Sequence, residues 1–199
     1  MHSQPQTFFP QEPAITLYDP LADLLGAGDG HFTYTFDDAV KLSGHACPTV
    51  AGAFLLVKVA LDHLYPNQTP TRGEIGVALA GGEEEGVNGP MSQVYTLLTG
   101  AAARQGFQGL GGQHVRKDLL QYKVKGADLV TFTRRDTGAS VTLTYSPAAI
   151  PAAGDMGEAM RQILYGSKDP QVKEQFSTAW RQRVLAILAD GGKRTIQVV

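Results

Sequence analysis

The sequence predicts an α+β fold: mixed helices with an antiparallel β-meander, forming a single core domain plus a helical C-terminal extension. Three observations carry that prediction. "PTVAGAFLLVKVALDHL" has helical period and is apolar nearly all round until Lys58, as a central buried helix would be. "DLLQYKVK", "DLVTFTRR" and "ASVTLTYS" follow one another as three strand-like runs. Two more helix patterns, "MGEAMRQILYG" and "PQVKEQFSTAWRQRVLAIL", come near the end of the chain. Strands and helices that segregate in this way argue against a doubly wound sheet.

Taken in order, residues 1–15 read as an extended arm, 16–150 as the α+β core and 151–199 as the helical extension. In "DPLADLLGAG", Asp19 caps a short helix, Pro20 takes its first position and a glycine stops it. "HFTYTF" alternates like a strand, and "DDAVKLSG" supplies a cap, one or two helical turns and a Gly terminator. Pro48 to Leu64 is the long helix, ended by Tyr65, Pro66 and Asn67. "RGEIGVALAGG" is a strand candidate with a glycine exit. "MSQVYTLLTGAA" is a second helix, with Asn88 or Gly89 before Pro90 at its start. "GFQGLGG" reads as a loop, and "RRDTGAS" is a hairpin turn between the last two strands.

The 199 residues suffice to bury a sizeable core. Hydrophobic content of 43% with 18% charged residues fits a globular chain and not a disordered one. The formal net charge is −2 and the 17 basic residues are scattered, so no basic stripe marks a nucleic-acid partner. The apolar run "VAGAFLLV" is too short for a bilayer, and the N-terminus does not pattern as a signal peptide. One cysteine cannot form an intramolecular disulfide, which favours a reducing compartment. The expectation is a cytoplasmic protein with neither a nucleic-acid nor a membrane partner.

That cysteine stands in "KLSGHACPTV". Pro48 is suited to the first helical position, so Cys47 is a candidate N-cap near free backbone N–H groups. The positive end of the helix dipole favours thiolate there. His45, two residues earlier in an extended lead-in, projects to the same side. The two side chains could share a divalent ion, or a protonated His45 could activate the thiolate. The plainer alternative is that Cys47 is a small buried hydrophobe and His45 bonds a loop. No second cysteine exists to complete a metal site.

"FDDAVKLSGHACPTVAGAFLLVKVAL" resembles the GHxCPG-x-helix signature of the FmdE-like family, named after a protein encoded beside formylmethanofuran dehydrogenase. "NGPMSQVYTLLTGAAARQGF" is similar to the family's second signature, and "DLLQYKVKGADLVTFTRRDTGASVTLTY" to the strands after it. The likeness covers roughly residues 35–146. It implies an α+β core, a homodimer, and a metal or reactive-thiol site around His45 and Cys47. Many relatives carry a cysteine before the second signature, where this chain has "GEEEGVNGP". Their Asp-Ala becomes "MS" here, with Gln93 retained. A Cys-rich zinc-ribbon-like C-terminal module found in many relatives has no counterpart in this sequence, since no cysteine lies beyond residue 150.

A carboxylate from Glu83, Glu84 or Glu85 could replace the missing thiolate as ligand, or act as a general base beside a metal-bound water. Glu85 is closest in register; a solvated acidic turn is the alternative. His31, after a Gly-rich turn, and His114, in "GGQHVRKD", are further candidate ligands, each weighed against an ordinary exposed histidine. His63 reads as structural or surface. "GFQGLGGQHVRK" lacks GK[ST] and is a weak phosphate loop. No GxSxG elbow surrounds Ser43, Ser92 or Thr99. Phe176 and Trp180 read as core or dimer packing.

The resulting expectation is a metal-binding protein of the FmdE-like type, with catalytic candidates Cys47 and Glu85. Its metal ligands come from His45, Cys47, Glu85, His31 and His114. Zinc is the first choice of ion, ahead of nickel or iron, and a small molecule is the substrate. The alternatives are a metal-free thiol enzyme with Cys47 as nucleophile, and a non-enzymatic accessory protein for a metal/pterin oxidoreductase.

Overall fold

A computed structural model describes residues 7–10, 13–124, 130–152 and 154–199. The α+β class is borne out, with six α-helices and two sheets among these residues. Strand β1 (Ile15–Tyr18) pairs antiparallel with β2 (His31–Tyr34) in a small ribbon. Between them stands α1 (Pro20–Leu24), whose cap Asp19 accepts from the backbone N–H of Leu21 and Ala22. Helix α2 (Phe36–Ser43) opens with a Thr35–Asp38 capping box and stops at Gly44, at φ 72°.

Helix α3 (Pro48–Leu64) is the central helix the sequence predicted, with Phe54, Leu55, Leu56 and Val57 all buried. It packs with α4 (Asn88–Thr99) on one face of a sheet ordered β4-β3-β5-β6-β7. The strands are β3 (Ile75–Leu79), β4 (Leu120–Gln121), β5 (Val130–Arg134), β6 (Ser140–Tyr145) and β7 (Ile196–Val198). Ile75, Val77 and Leu79 alternate with less buried Gly76 and Ala78, so one face meets the helices and the other meets water.

The two helices run in the same direction. Thr99 O accepts from Gly73 N–H, and Leu64 O accepts from Arg134, whose Cα partner is Ile75. Both C-termini therefore lie at the start of β3. Both N-termini lie at its end, where Thr49 and Asn88 line one cavity with Leu79.

The sheet differs from the expected meander in two ways. β5 and β6 form the predicted hairpin, closed by Gly138 at φ 74°. The described residues of "DLLQYKVK", however, contribute only β4, which pairs parallel with β3 and not with β5. β3 buries alternate side chains and takes partners on both edges, so it inserts between runs that are neighbours in sequence. The second difference lies in the C-terminal region, where α5 (Met156–Leu164) precedes α6 (Pro170–Asp190). α6 buries Val184, Ile187 and Leu188 against the core, and β7 then adds an edge strand to β6. "TIQVV" is too short for periodicity to reveal it as a strand. No helix of the described residues is long and apolar enough to cross a membrane.

Candidate functional site at the start of helix α3

Cys47 occupies the N-cap, as the proline after it predicted. Its backbone is extended (φ −151°, ψ 167°) and its Sγ accepts from Val50 N–H at 3.4 Å. His45 is exposed, and its Nδ1 lies 2.9 Å from Ser43 O. A carbonyl only accepts, so Nδ1 is the donor in this contact, and in the neutral ring Nε2 is the nitrogen left to accept or ligate.

Two aromatic residues from distant elements hold this turn. Trp180 of α6 donates Nε1–H to Ala46 O at 2.8 Å, and Tyr145 at the end of β6 donates its hydroxyl to Pro48 O at 2.7 Å. The Tyr145 ring lies flat enough on α3 that a Cβ at Gly52 would come within 2.2 Å of it. Burial raises the Tyr145 pKa against an opposing Arg183 charge, with the nearby Cys47 adding to the rise; the group stays a protonated donor.

Beside this turn is a cavity of about 220 Å³. Leu56, Leu79, Met91, Val130 and Leu143 make it largely apolar, while Thr49, Asn88, Tyr95 and Tyr145 bring polar atoms to its wall. Asn88, at the start of α4, donates Nδ2–H to Gly82 O at 3.0 Å. The Glu85 carboxylate folds back over the same glycines: a Cβ at Gly81 would lie 2.8 Å from Glu85 Oε2 and 2.5 Å from Asn88 Nδ2. Glu85 thus neighbours a residue of the cavity wall, while remaining exposed on the turn as Glu83 and Glu84 are.

The two remaining histidine candidates, His31 and His114, lie at the other end of the α3–α4 pair. His31, in β2, is cross-strand from Tyr18, and its Nδ1 is 3.4 Å from Asp29. Tyr18 bridges Thr71, next to Arg72, which donates to the last turns of α4. His114 takes φ 56° just after the Leu110–Gln113 bridge and two residues before Arg116. Arg116 and Arg72 both pair with buried Asp19, at 2.6 and 2.8 Å. Among the described residues, no three His, Cys, Asp or Glu side chains gather in a way that could hold a metal ion. The five sequence-derived ligand candidates therefore separate into His45, Cys47 and Glu85 toward the cavity end, and His31 and His114 toward the Asp19 end.

The sequence reading missed Tyr145, Asn88, Gly52 and the tie from Trp180. Gly52 gave the one usable signal, a glycine inside an otherwise apolar helix, which marks close approach of another group. Nothing local in "TLTYS" or "STAWRQ" reveals a hydrogen bond to a carbonyl about a hundred residues away.

Fold and site define an α+β protein in which a histidine and a helix-capping cysteine lead into a helix whose Thr49 lines a largely apolar cavity. The chain belongs to the FmdE family. Residues 42–191 match the family described as "FmdE, Molybdenum formylmethanofuran dehydrogenase operon". The matched stretch runs through α6, beyond the 35–146 likeness legible in the motifs. No curated protein matches the chain.

Proposed function

We propose that this protein binds one divalent ion, zinc in the first instance, through His45 Nε2 and the Cys47 thiolate, and presents it to a small substrate at the neighbouring cavity. The observation that carries the reading is the 2.9 Å contact from His45 Nδ1 to Ser43 O. Metal-ligating histidines commonly donate their other ring N–H to a carbonyl, which fixes tautomer and ring orientation. Imidazole and thiolate are suitable zinc donors, and a bound ion supplies Lewis acidity. Two donors leave the site open, and Glu85 is the carboxylate near the cavity wall. Remaining positions fall to water, substrate or a second copy in a homodimer. The operon in the family's description is consistent with an accessory role beside a molybdenum oxidoreductase.

Elemental analysis tests the reading. Wild-type protein should hold or take up near-stoichiometric zinc, and both Cys47→Ser and His45→Ala should lose it. Sedimentation with and without chelator tests whether the ion and the dimer are linked. The competing reading is a metal-free thiol enzyme, favoured by the placement of Cys47 Sγ on the first turn of α3. Protein that cannot be loaded with metal, yet is alkylated rapidly at Cys47 near pH 6, would replace the first reading with the second.

A further inference from the structure

Tyr95 is 1% exposed, stacked edge-on against Phe132 at 5.5 Å, and lines the cavity. Among the described residues no group hydrogen-bonds its hydroxyl, and burial alone raises its pKa. It is a neutral phenol in a largely apolar wall, and no described residue takes up its donor. Buried polar groups are nearly always partnered, since leaving one unsatisfied costs about 1–3 kcal/mol in general. Among the described residues, the other polar side chains lining the cavity are Thr49, Asn88 and Tyr145, and the last already donates to Pro48 O.

We propose that the cavity binds the apolar body of a small uncharged molecule carrying one acceptor oxygen, and that the Tyr95 hydroxyl donates to that oxygen. The cavity is about 220 Å³. A cavity of about 150 Å³ accepts benzene, so one aromatic ring with a short carbonyl or hydroxyl substituent is the right size. Among the described residues no charged side chain lines the wall, which disfavours carboxylates and phosphates. This assigns a substrate class to the site proposed above, and rests on that reading for the chemistry but not for the binding.

Acetophenone and its apolar isostere cumene are the probes, titrated against the full chain with backbone-amide NMR. In wild type, acetophenone should give saturable shifts at Thr49, Met91, Tyr95 and Tyr145. Tyr95→Phe should weaken acetophenone roughly three- to ten-fold, the range for one neutral hydrogen bond, and leave cumene unchanged. Met91→Trp, verified as folded by its spectrum, should block both. Absence of saturable shifts in wild type would overturn the proposal, as would equal effects of Tyr95→Phe on the two probes. Cys47→Ser separates the two ideas. If it loses metal but keeps acetophenone, the cavity proposal is supported independently. Wild type that holds metal yet ignores acetophenone defeats the cavity proposal alone.

Discussion

The two ends of the α3–α4 pair use their polar groups differently, although the buried Tyr65 hydroxyl and Arg72 Nε, both at the C-terminal end, also lack a partner among the described residues. At the C-terminal end, Asp19 is 4% exposed and Arg116 7%, and the carboxylate is fully used: it caps α1 and accepts from Arg72 and Arg116. At the N-terminal end, His45 Nε2 and the Tyr95 hydroxyl have bonding capacity that no described residue takes up, and Cys47 Sγ has one 3.4 Å contact. A closed network spends its polar groups on holding elements together, while leftover capacity beside a cavity is available to a ligand.

Breaking the closed end should have the largest effect on stability. Asp19→Asn keeps a helix cap but leaves Arg116 buried without its counter-charge, which should cost about 3 kcal/mol in urea denaturation and leave metal uptake intact. The pH dependence sharpens this. Burial pushes the Asp19 carboxyl up, but the Arg72 hydrogen bond and the charges of Arg116 and Arg72 outweigh it and hold the pKa below its ordinary value. Its stabilisation is therefore complete above the unfolded-state value of about 3.9 and fades as pH falls through the lower folded value. The gap between wild type and Asp19→Asn should be wide at pH 7 and close in that acid window.

Smaller effects are expected at the open end. Gly52→Ala drives a methyl into the Tyr145 ring and should cost about 2 kcal/mol by overpacking, with perturbed amide shifts around Pro48. Trp180→Phe removes one donor to Ala46 and should cost about 1 kcal/mol. Its clearer signature is faster hydrogen exchange at Ala46 and Cys47, with exchange at the Asp19 end unchanged.

Local rules made much of this fold legible. Pro48 announced the start of α3, the "RRDTGAS" turn announced the β5–β6 hairpin, and Asp19 was recognised as a cap. Pairing was not legible, because β4 chooses β3 over its sequence neighbour and β7 is three residues long. In the site, His45 and Cys47 were readable because a helix start is a local event. Their supports were not, since Tyr145 and Trp180 reach the turn only after the sheet and α6 have packed. Asp19 was read as a cap but not as the centre of an ion cluster, because both arginines come from distant loops.

The central claim is that His45 and Cys47 ligate one divalent ion, and cobalt(II) titration monitored by absorption tests it most directly. Wild type should develop the near-ultraviolet thiolate-to-cobalt charge-transfer band, saturating near one ion per chain. The band should vanish in Cys47→Ser, weaken in His45→Ala and persist in Asp19→Asn. Wild-type protein that shows no thiolate-to-cobalt band in excess metal would contradict the account.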